Sequence, residues 1–490
     1  MRMGNGRSGR FSERLVASLT KIILAPFHCQ QLKQRIKSHS KSDQILCNIP
    51  LDKRKGALKW DEWETISSHK GALSMIKSEK ALETIRRIGG YLSCEKTKEE
   101  WRTHEKTFTR SRKLSFGIVV GMMLNSLTKS LQIELDDFFE YVLSSEKTVS
   151  KQAYSKARQN VKPEFLRKLS SVPVEIIYKD GDYKTWRGYR LLAVDGTTLE
   201  LPNFEHLREH FNHVGNQAET VRAKASALFD LENSMIMTSE IDHYRCGERE
   251  FAKRHLTWLK ESGYRRDLLL YDRGYPSREL MAYHIDEGLD FVMRVKDSFL
   301  SRKKLYLGEE DYTQNFYHKD MRYTVRRVVF ILESGDVETL ITTLPQDFSL
   351  QDLKEIYGKR WGIETEFYAL KHKIQIENFS GYTVAAIMQD FYAGICLANI
   401  AAIFASDVDF SNSSGRKYTY KENCNLLLGS LKHRLVKAML QGSEEPLLLI
   451  FTKITDSIAR YPIPIRPGRV VSREKKRRPI KHPPNQKRAV

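Results

Sequence analysis

The pattern of hydrophobic and polar positions changes near residue 189. Before it, the chain is basic and poor in strand signals to about residue 113, and two apolar helical runs follow between residues 114 and 172. After it, short apolar runs that stop at Asp-Gly or Asp-Arg-Gly alternate with amphipathic segments. Apolar runs that end in turn residues are typical of buried strands, and their alternation with helices predicts an α/β fold with a mixed sheet flanked by helices.

Individual elements follow from the same pattern. The apolar run in YRLLAVDGTTLELP ends at Asp195, and the run in LLLYDRGYP ends at Asp272, so both aspartates are predicted at strand ends. RAKASALFD and SMIMTSEID are predicted to form a hairpin. Helices are predicted near residues 248–261 and after Ser277, which is a suitable N-cap.

Residues 297–346 have a strand pattern throughout. MRYTVRRVVFIL and DVETLITTL alternate at period two, which predicts a β-rich insertion. Ser349, with Asp352 in the first turn, is then predicted to start a long helix. An apolar helix through Ala405 and a helix near residues 426–440 are predicted after it.

The long helix carries YGKRWGIETEFYALK, residues 357–371. At about 100° per residue, one narrow stripe of this helix collects Tyr357, Arg360, Glu364 and Lys371. An apolar stripe lies directly beside it and contains Ile356, Ile363, Phe367, Leu370 and Ile374. The opposite face has the pattern of ordinary solvated charge and contains Glu355, Lys359, Glu366 and Lys373. Glu364 rather than Glu366 is therefore the predicted functional glutamate, although a salt-bridged surface helix is an alternative.

Charge and cysteine usage narrow the class of protein. The 490 residues carry a net charge of +20 with a pI near 9.5, which favours a polyanionic partner: nucleic acid or, alternatively, a membrane surface. The apolar stretches at residues 114–127 and 391–405 fall short of a membrane span and are predicted as buried helices, so no membrane partner is expected. Six cysteines without a C-x-x-C pair argue against a disulfide framework and a zinc ribbon. A cytoplasmic location is expected.

Two aspartates at strand ends and a glutamate on a helix are hard oxygen ligands. Such ligands suit Mg²⁺ or Mn²⁺, and a pair of ions can activate an attacking oxygen and stabilise a leaving one. Asp195, Asp272 and Glu364 are therefore the predicted catalytic residues and metal ligands. The predicted phosphate-binding residues are Tyr357, Arg360, Lys371 and Arg273.

These residues also carry a family resemblance. Tyr357, Arg360, Glu364 and Lys371 match Y-x-x-R-x-x-x-E-x-x-x-x-x-x-K, which resembles the signature of DDE transposases of the insertion-sequence family numbered four. VDGTTLELP and YDRGY are similar to the family's first two catalytic blocks, and the β-rich insertion lies between the second aspartate and the glutamate, as it does in that family. The resemblance covers roughly residues 150–478.

The resemblance implies a ribonuclease H-like catalytic domain that binds two divalent ions. It implies cut-and-paste DNA transposition: water-driven nicking at the transposon ends frees 3′ hydroxyls, which then join to target DNA. The implied partners are double-stranded DNA, as terminal inverted repeats and target, and a second copy of the chain in a dimer assembled on DNA. The implied location is the bacterial nucleoid while the protein is bound.

Some relatives pass through a DNA hairpin in which an aromatic residue of the insertion stacks a flipped base. This insertion has no tryptophan. The aromatic residues that could stack a base instead are Phe299, Tyr306, Phe316, Tyr317 and Tyr323. Trp361, beside Arg360, fits the family segment and is a further candidate for stacking, core packing or DNA-channel packing.

The predicted organisation has five parts. Residues 1–172 form a helical N-terminal region that is expected to bind DNA, residues 188–296 and 347–460 form the two parts of the catalytic core, residues 297–346 form the insertion, and residues 461–490 form a basic Pro-rich tail. Residues 473–490 of this tail contribute +7 of the net charge of +20. A helix capped by Thr148 or Ser150, with Lys151, Lys156 and Arg158, is either a DNA-contacting element or a solvated face.

Two other functions compete with DNA cleavage. HLREH fits the H-x-x-E-H pattern of inverted zincins, with His206 and His210 as zinc ligands, Glu209 as base and His213 as a candidate third ligand. So short a pattern arises easily by chance, and a solvated histidine cluster is the simpler interpretation. The other competitor is a DNA-binding regulator or an inactive transposase derivative that holds DNA without cutting it.

Overall fold

The structure is a computed structural model. It describes residues 72–110, 112–125, 128–214, 220–263, 265–300, 308–332, 335–408, 418–442 and 444–466. The chain divides into residues 1–69 and residues 70–490, and the described residues belong to the second unit. The predictions for residues 1–71, for Tyr306 and for the basic tail from residue 467 lie outside the described residues.

The described part of the N-terminal region is helical. Its helices are α1 (Ala72–Ser93), α2 (Glu95–Trp101), α3 (Phe116–Met123), α4 (Leu131–Asp137), which continues into a π-helical turn (Phe138–Val142), α5 (Lys151–Arg158) and α6 (Pro163–Tyr178). Of the two predicted caps for α5, Ser150 is the one used: its side chain accepts a hydrogen bond from the Ala153 amide. Pro163 occupies the first turn of α6, where its missing N–H costs nothing.

Arg158 fits neither of the two interpretations of α5, a DNA-contacting element or a solvated face. Its side chain is buried and pairs with Asp390 at 2.8 Å, and its Nε donates to the Gln389 amide oxygen at 2.9 Å. A buried guanidinium needs such partners, because an uncompensated buried charge is costly. Lys151 and Lys156 remain exposed on the helix.

The central sheet is mixed. Its strands are β1 (Arg190–Glu200), β2 (His213–Val214), β3 (Thr220–Asp230), β4 (Met235–His243), β5 (Asp267–Tyr271), β6 (Asp290–Val295), β7 (Glu310–His318), β8 (Met321–Ile331) and β9 (Val337–Thr342). Among the described residues the order is β2-β3-β1-β5-β6-β9-β8-β7, and β4 also pairs with β3. β1 is parallel to β5 and β5 to β6, whereas β3 is antiparallel to both β1 and β4.

The predicted hairpin is β3 and β4, joined by a turn at residues 231–234. The strands predicted for residues 297–346 also form, as β7, β8 and β9. They continue the central sheet, because β9 pairs with β6. The β-rich segment is therefore an extension of the same sheet in the described residues.

A buried ion pair fixes the register of the two aspartate-bearing strands. Arg190 at the start of β1 lies opposite Asp267 at the start of β5. The guanidinium donates two hydrogen bonds to the Asp267 carboxylate, at 2.6 and 3.0 Å. A bidentate pair of this kind is geometrically specific, so a slip of one residue between β1 and β5 would break it.

Three helices lie between the strands: α7 (Glu205–Phe211), α8 (Glu248–Glu261) and α9 (Arg278–Asp286). α8 has the predicted bounds. Ser277 caps α9 as predicted, accepting from the Leu280 amide.

The C-terminal helices follow the sheet. They are α10 (Leu350–Lys359), α11 (Trp361–His372), α12 (Val384–Ser406), α13 (Cys424–Leu431), α14 (Arg434–Gln441) and α15 (Glu444–Arg460); short strands β10 (Thr419–Lys421) and β11 (Ile463–Ile465) pair with each other. The predicted helix near residues 426–440 is two helices, because His433 between them has a φ of 63°. The predicted Ser349–Asp352 capping box starts α10.

Helix α12 is the apolar helix that was expected to end near Ala405. It is longer than the apolar stretch at residues 391–405 from which it was predicted. Its 23 residues make it the one helix in the described part of the chain that is long and apolar enough to cross a membrane, and most of its apolar window is buried in the protein. It packs on α6 and β4. Asn399 joins the three elements, because its amide group bonds to the Ser170 carbonyl and to both backbone groups of Ile236. The N-terminal helices thus share a core with the C-terminal ones.

Candidate active site

Asp195 lies within β1, directly after a buried apolar run and not at the predicted strand end, because β1 continues to pair with β3 as far as Glu200. Its Oδ1 accepts a hydrogen bond from the Gly196 amide at 2.8 Å, and its side chain is 20% exposed. Burial raises the pKa of this carboxyl to about 6, and the nearby carboxylates of Glu364 and Asp272 also raise it, while Arg360 opposes the shift. The three predicted acidic residues therefore act on one another electrostatically.

Asp272 follows the last residue of β5. Because Tyr271 pairs with Val194 in the parallel neighbour β1, Asp272 emerges beside Asp195. The Tyr357 hydroxyl donates to Asp272 Oδ1 at 3.4 Å. Burial raises the pKa of the Tyr357 phenol, so this group remains a hydrogen-bond donor at neutral pH.

Glu364 reaches the site from α11 together with Arg360. The predicted long helix is interrupted at Arg360, which lies between α10 and α11. The guanidinium is almost fully buried, donates to Glu364 Oε1 at 2.9 Å, and lies 4.0 Å from Asp195 Oδ2. One buried cation therefore connects two of the three carboxylates.

Lys371 completes the predicted stripe. Its Nζ donates to the Thr198 carbonyl at 2.5 Å and pairs with Glu377 at 3.4 Å. Tyr357, Arg360, Glu364 and Lys371 all face β1 and the end of β5, although the helix is interrupted. The neighbouring stripe is buried at Ile356, Ile363 and Leu370.

The prediction of an ordinary solvated face on this helix is wrong at Glu366. Its side chain is half-buried. Burial, and then the nearby Glu422 carboxylate, raise the pKa of Glu366 to about 7. Glu355 and Lys359 do match the prediction: Lys359 pairs with Glu355 at 3.6 Å and with Glu232 at 2.6 Å.

Two charged pairs beside the aspartates are absent from the sequence predictions. Arg294 of β6 pairs with the buried Glu338 of β9 at 2.9 Å, and the Glu338 carboxyl interacts electrostatically with Asp272. Lys224 of β3 pairs with Glu248 of α8 at 3.0 Å. The sequence signal for the first pair is a charged residue inside an apolar strand, as in DFVMRV; the second has no comparable local signal.

The region that contains these residues is similar to a known protein family. Residues 186–400 match the family model described as the transposase DDE domain. The match contains all three carboxylates and the Tyr357–Lys371 stripe. Residues 186–400 are therefore similar to transposase DDE domains.

One curated relative is the transposase InsG for insertion sequence element IS4 from Escherichia coli (strain K12). It is 23% identical over 256 residues, which cover 46% of this chain and 54% of InsG. The chain thus spans about half the length of this relative. The low identity is consistent with a shared transposase domain of the IS4 type.

A solved structure also resembles the chain: the piggyBac transposase synaptic complex with hairpin DNA, determined by cryo-EM. The likeness has a TM-score of 0.42 and 12% identity, and it covers 76% of this chain and 84% of the piggyBac chain.

The donor set has the chemistry that a divalent cation requires: three carboxylates that interact electrostatically with one another and with the Arg360 guanidinium. In the arrangement observed, no three Asp, Glu, His or Cys side chains of the described residues lie close enough together to hold an ion. Arg360 pairs with Glu364 and approaches Asp195.

The remaining predicted residues differ in their exposure and contacts. Arg273 is exposed beside Asp272, and Trp361 is 47% exposed with the Arg360 guanidinium 5.5 Å from its ring. Tyr323 stacks on Phe316 at 5.2 Å and its hydroxyl donates to Asp286. Phe299 packs against the core.

The zinc hypothesis at HLREH gains no support from the described residues. The motif forms α7, where the His206 ring nitrogen lies 2.5 Å from the Tyr382 carbonyl oxygen and the His210 ring packs on Phe211. No group of three metal-ligating side chains in the described part of the chain includes these histidines.

Replacing Asp195 by Asn is expected to stabilise the metal-free protein at pH 8. Because the pKa of folded Asp195 is raised from 3.8 to about 6, the stability linked to this group is present below about pH 4 and is lost as the pH rises to 6. An asparagine side chain at this position would not ionise, so the free energy of unfolding should rise by ~1–3 kcal/mol at pH 8 and change little near pH 4. Urea unfolding with a chelator at both pH values measures the difference, and a gain that does not depend on pH would contradict it.

Proposed function

We propose that the chain is a transposase that binds the ends of an insertion sequence, cleaves DNA strands there and joins the freed 3′ hydroxyls to target DNA. The observation that supports this most directly is that Asp195, Asp272 and Glu364, which are far apart in the chain, meet at one end of the sheet inside a transposase DDE domain. Asp272 lies just beyond the end of β5, where α/β sheets place ligands and catalytic groups, and Asp195 lies on β1 where its pairing with β5 stops.

The strand order supports a ribonuclease H-like core. Strands β4-β3-β1-β5-β6 form a mixed sheet in which β3 alone is antiparallel to its two neighbours, with helices on its faces. Asp195 lies on the central strand of this set and Asp272 at the end of the next one.

Similarity to transposase DDE domains implies dependence on a divalent metal, and we assign Asp195, Asp272 and Glu364 as the residues that would hold two Mg²⁺ or Mn²⁺ ions. When bound, such ions supply Lewis-acid stabilisation of the attacking and leaving oxygens. The protein's part is to bring the three carboxylates together. Arg360 offsets their repulsion before the ions bind.

The cations of the site would bind the DNA backbone. Once Arg360 turns away from Glu364, its five donors suit a phosphate group. Tyr357, protonated and aimed at the same edge, can donate to a phosphate oxygen, and the exposed Arg273 can neutralise charge beside Asp272. The net charge of +20 favours DNA as the partner. A dimer on paired ends is the assembly implied for such a reaction.

The test uses the full chain and linear DNA that carries the inverted repeats flanking the gene. We expect binding without metal and nicking only after Mg²⁺ or Mn²⁺ is added. Strand transfer into a supercoiled plasmid should follow, with products resolved on a denaturing gel. Tight binding without cleavage at any metal concentration would instead favour the DNA-binding regulator or inactive derivative.

A further inference from the structure

Each catalytic aspartate is followed by a glycine that lies against the same ion pair. Gly196 comes directly after Asp195, and Gly274 comes two residues after Asp272. A Cβ on Gly274 would collide with the Glu248 carboxylate, and a Cβ on Gly196 would lie 3.2 Å from Lys224 Cε. Neither glycine has a left-handed φ. At these two positions a methyl group would therefore displace the far end of the Lys224 or Glu248 side chain rather than strain the backbone.

The pair connects elements that carry different parts of the site. Lys224 lies in β3 opposite Thr198 of β1, and Glu248 is the first residue of α8. Their charged atoms are 3.0 Å apart, and both side chains are half-buried. The N-terminus of α8 further favours a carboxylate at this position.

The first turn of α8 also holds the loop after Asp272 by its backbone. Arg249 donates from Nε to the Tyr275 carbonyl at 3.2 Å and from Nη2 to the Pro276 carbonyl at 3.1 Å. The Tyr275 ring is buried. Glu248 and Arg249 together thus contact this loop at Gly274, Tyr275 and Pro276.

Helix α8 also contacts the strand that carries Asp195, through Ser226 of β3. The Ser226 hydroxyl lies 3.0 Å from the Asp195 carbonyl and 3.0 Å from His255 Nε2, and His255 belongs to α8. Burial lowers the pKa of His255 to about 3, so the ring is neutral. Its Nε2–H can therefore donate to Ser226, whose hydroxyl donates to the carbonyl. Helix α8 contacts both aspartate segments independently of α10 and α11.

We infer that Lys224 and Glu248 are positioning residues of the active site: the pair holds the Asp272 loop at a fixed distance from the Asp195 strand, and Gly274 is the point at which the Glu248 carboxylate acts. This inference rests on the proposed function, in which the two aspartates hold divalent ions. Residues that orient metal ligands typically affect metal affinity 10–100-fold. Lys224 and Glu248 do not themselves touch the ions.

The experiment measures Mn²⁺ binding to the full, DNA-free chain by electron paramagnetic resonance, with urea unfolding measured in parallel. Glu248→Ala and Gly274→Ala are each expected to weaken Mn²⁺ affinity ~10-fold with the number of ions unchanged. Gly274→Ala in the Glu248→Ala background should add no more than about twofold, because the carboxylate with which the new methyl collides is gone. The control is Glu279→Gln, which breaks the 3.0 Å pair between Lys253 of α8 and Glu279 of α9 and should leave affinity unchanged.

Three results would overturn the inference. If Glu248→Ala binds Mn²⁺ as tightly as the parent, Glu248 does not position the site. If that variant binds one ion fewer, Glu248 is itself a metal ligand. An equal effect of Gly274→Ala in both backgrounds would mean that the glycine acts through its own loop. A parent protein that binds no Mn²⁺ and cuts no DNA would contradict the proposed function itself, which separates the two failures.

Discussion

Replacing Glu364 by Gln is expected to reduce DNA cleavage at least ~100-fold, more than is typical for residues that only orient metal ligands. Glu364 is the one predicted ligand delivered by a helix, and it accepts the Arg360 hydrogen bond beside Asp195. Glutamine keeps the shape of the side chain but removes the charge that an ion requires. Cleavage of end-labelled DNA in Mg²⁺ measures the loss, while a mobility-shift assay should show DNA binding within about threefold of the parent.

Glu366→Gln is the matched control. It lies two residues away on α11, and its raised pKa of about 7 means that much of it is already uncharged at neutral pH. Glutamine resembles that uncharged form, so cleavage should stay close to the parent rate. If both variants lost activity equally, or if Glu364→Gln cut normally, the assignment of Glu364 would be wrong.

Arg158→Met is expected to lower the free energy of unfolding by ~3–5 kcal/mol. The Arg158 guanidinium is buried between α5 and α12 and satisfies Asp390, Gln389 and the Ala386 carbonyl. Methionine fills similar volume but leaves the Asp390 carboxylate with one partner fewer in a half-buried position. Urea unfolding followed by tryptophan fluorescence measures the change.

Lys156→Met on the same helix is the control, because Lys156 is exposed. Its effect on stability should stay within ~0.5 kcal/mol. If Arg158→Met lowered the free energy of unfolding by no more than Lys156→Met does, the Arg158–Asp390 pair would have no structural role. A DNA-contacting role for Arg158 would then be open again.

Local periodicity was enough to find the three carboxylates. Asp195 and Asp272 stand where apolar runs stop, and the helical stripe of Tyr357, Arg360, Glu364 and Lys371 is a property of fifteen consecutive residues. The capping box at Ser349 and the bounds of α8 are equally local. Such features depend on neighbours a few residues away, so the sequence carries them directly.

Contacts between distant residues were decided by the tertiary structure. Arg158 and Asp390 are 232 residues apart, and only the packing of α5 on α12 turns a basic surface residue into a buried ion partner. Glu366 looks solvated on a helical wheel, but the approach of Glu422 and burial change its surroundings.

The sequence by itself determined the α/β class and the order of the strands along the chain, and it singled out the three carboxylates that are proposed as the site. Only the tertiary structure decided that Arg360 lies between Asp195 and Glu364 and that Lys224 and Glu248 lie against Gly196 and Gly274. The physical reason is that periodicity reports which face a residue occupies on its own element. The partner across that face is set by strand register and helix packing, which join segments tens to hundreds of residues apart.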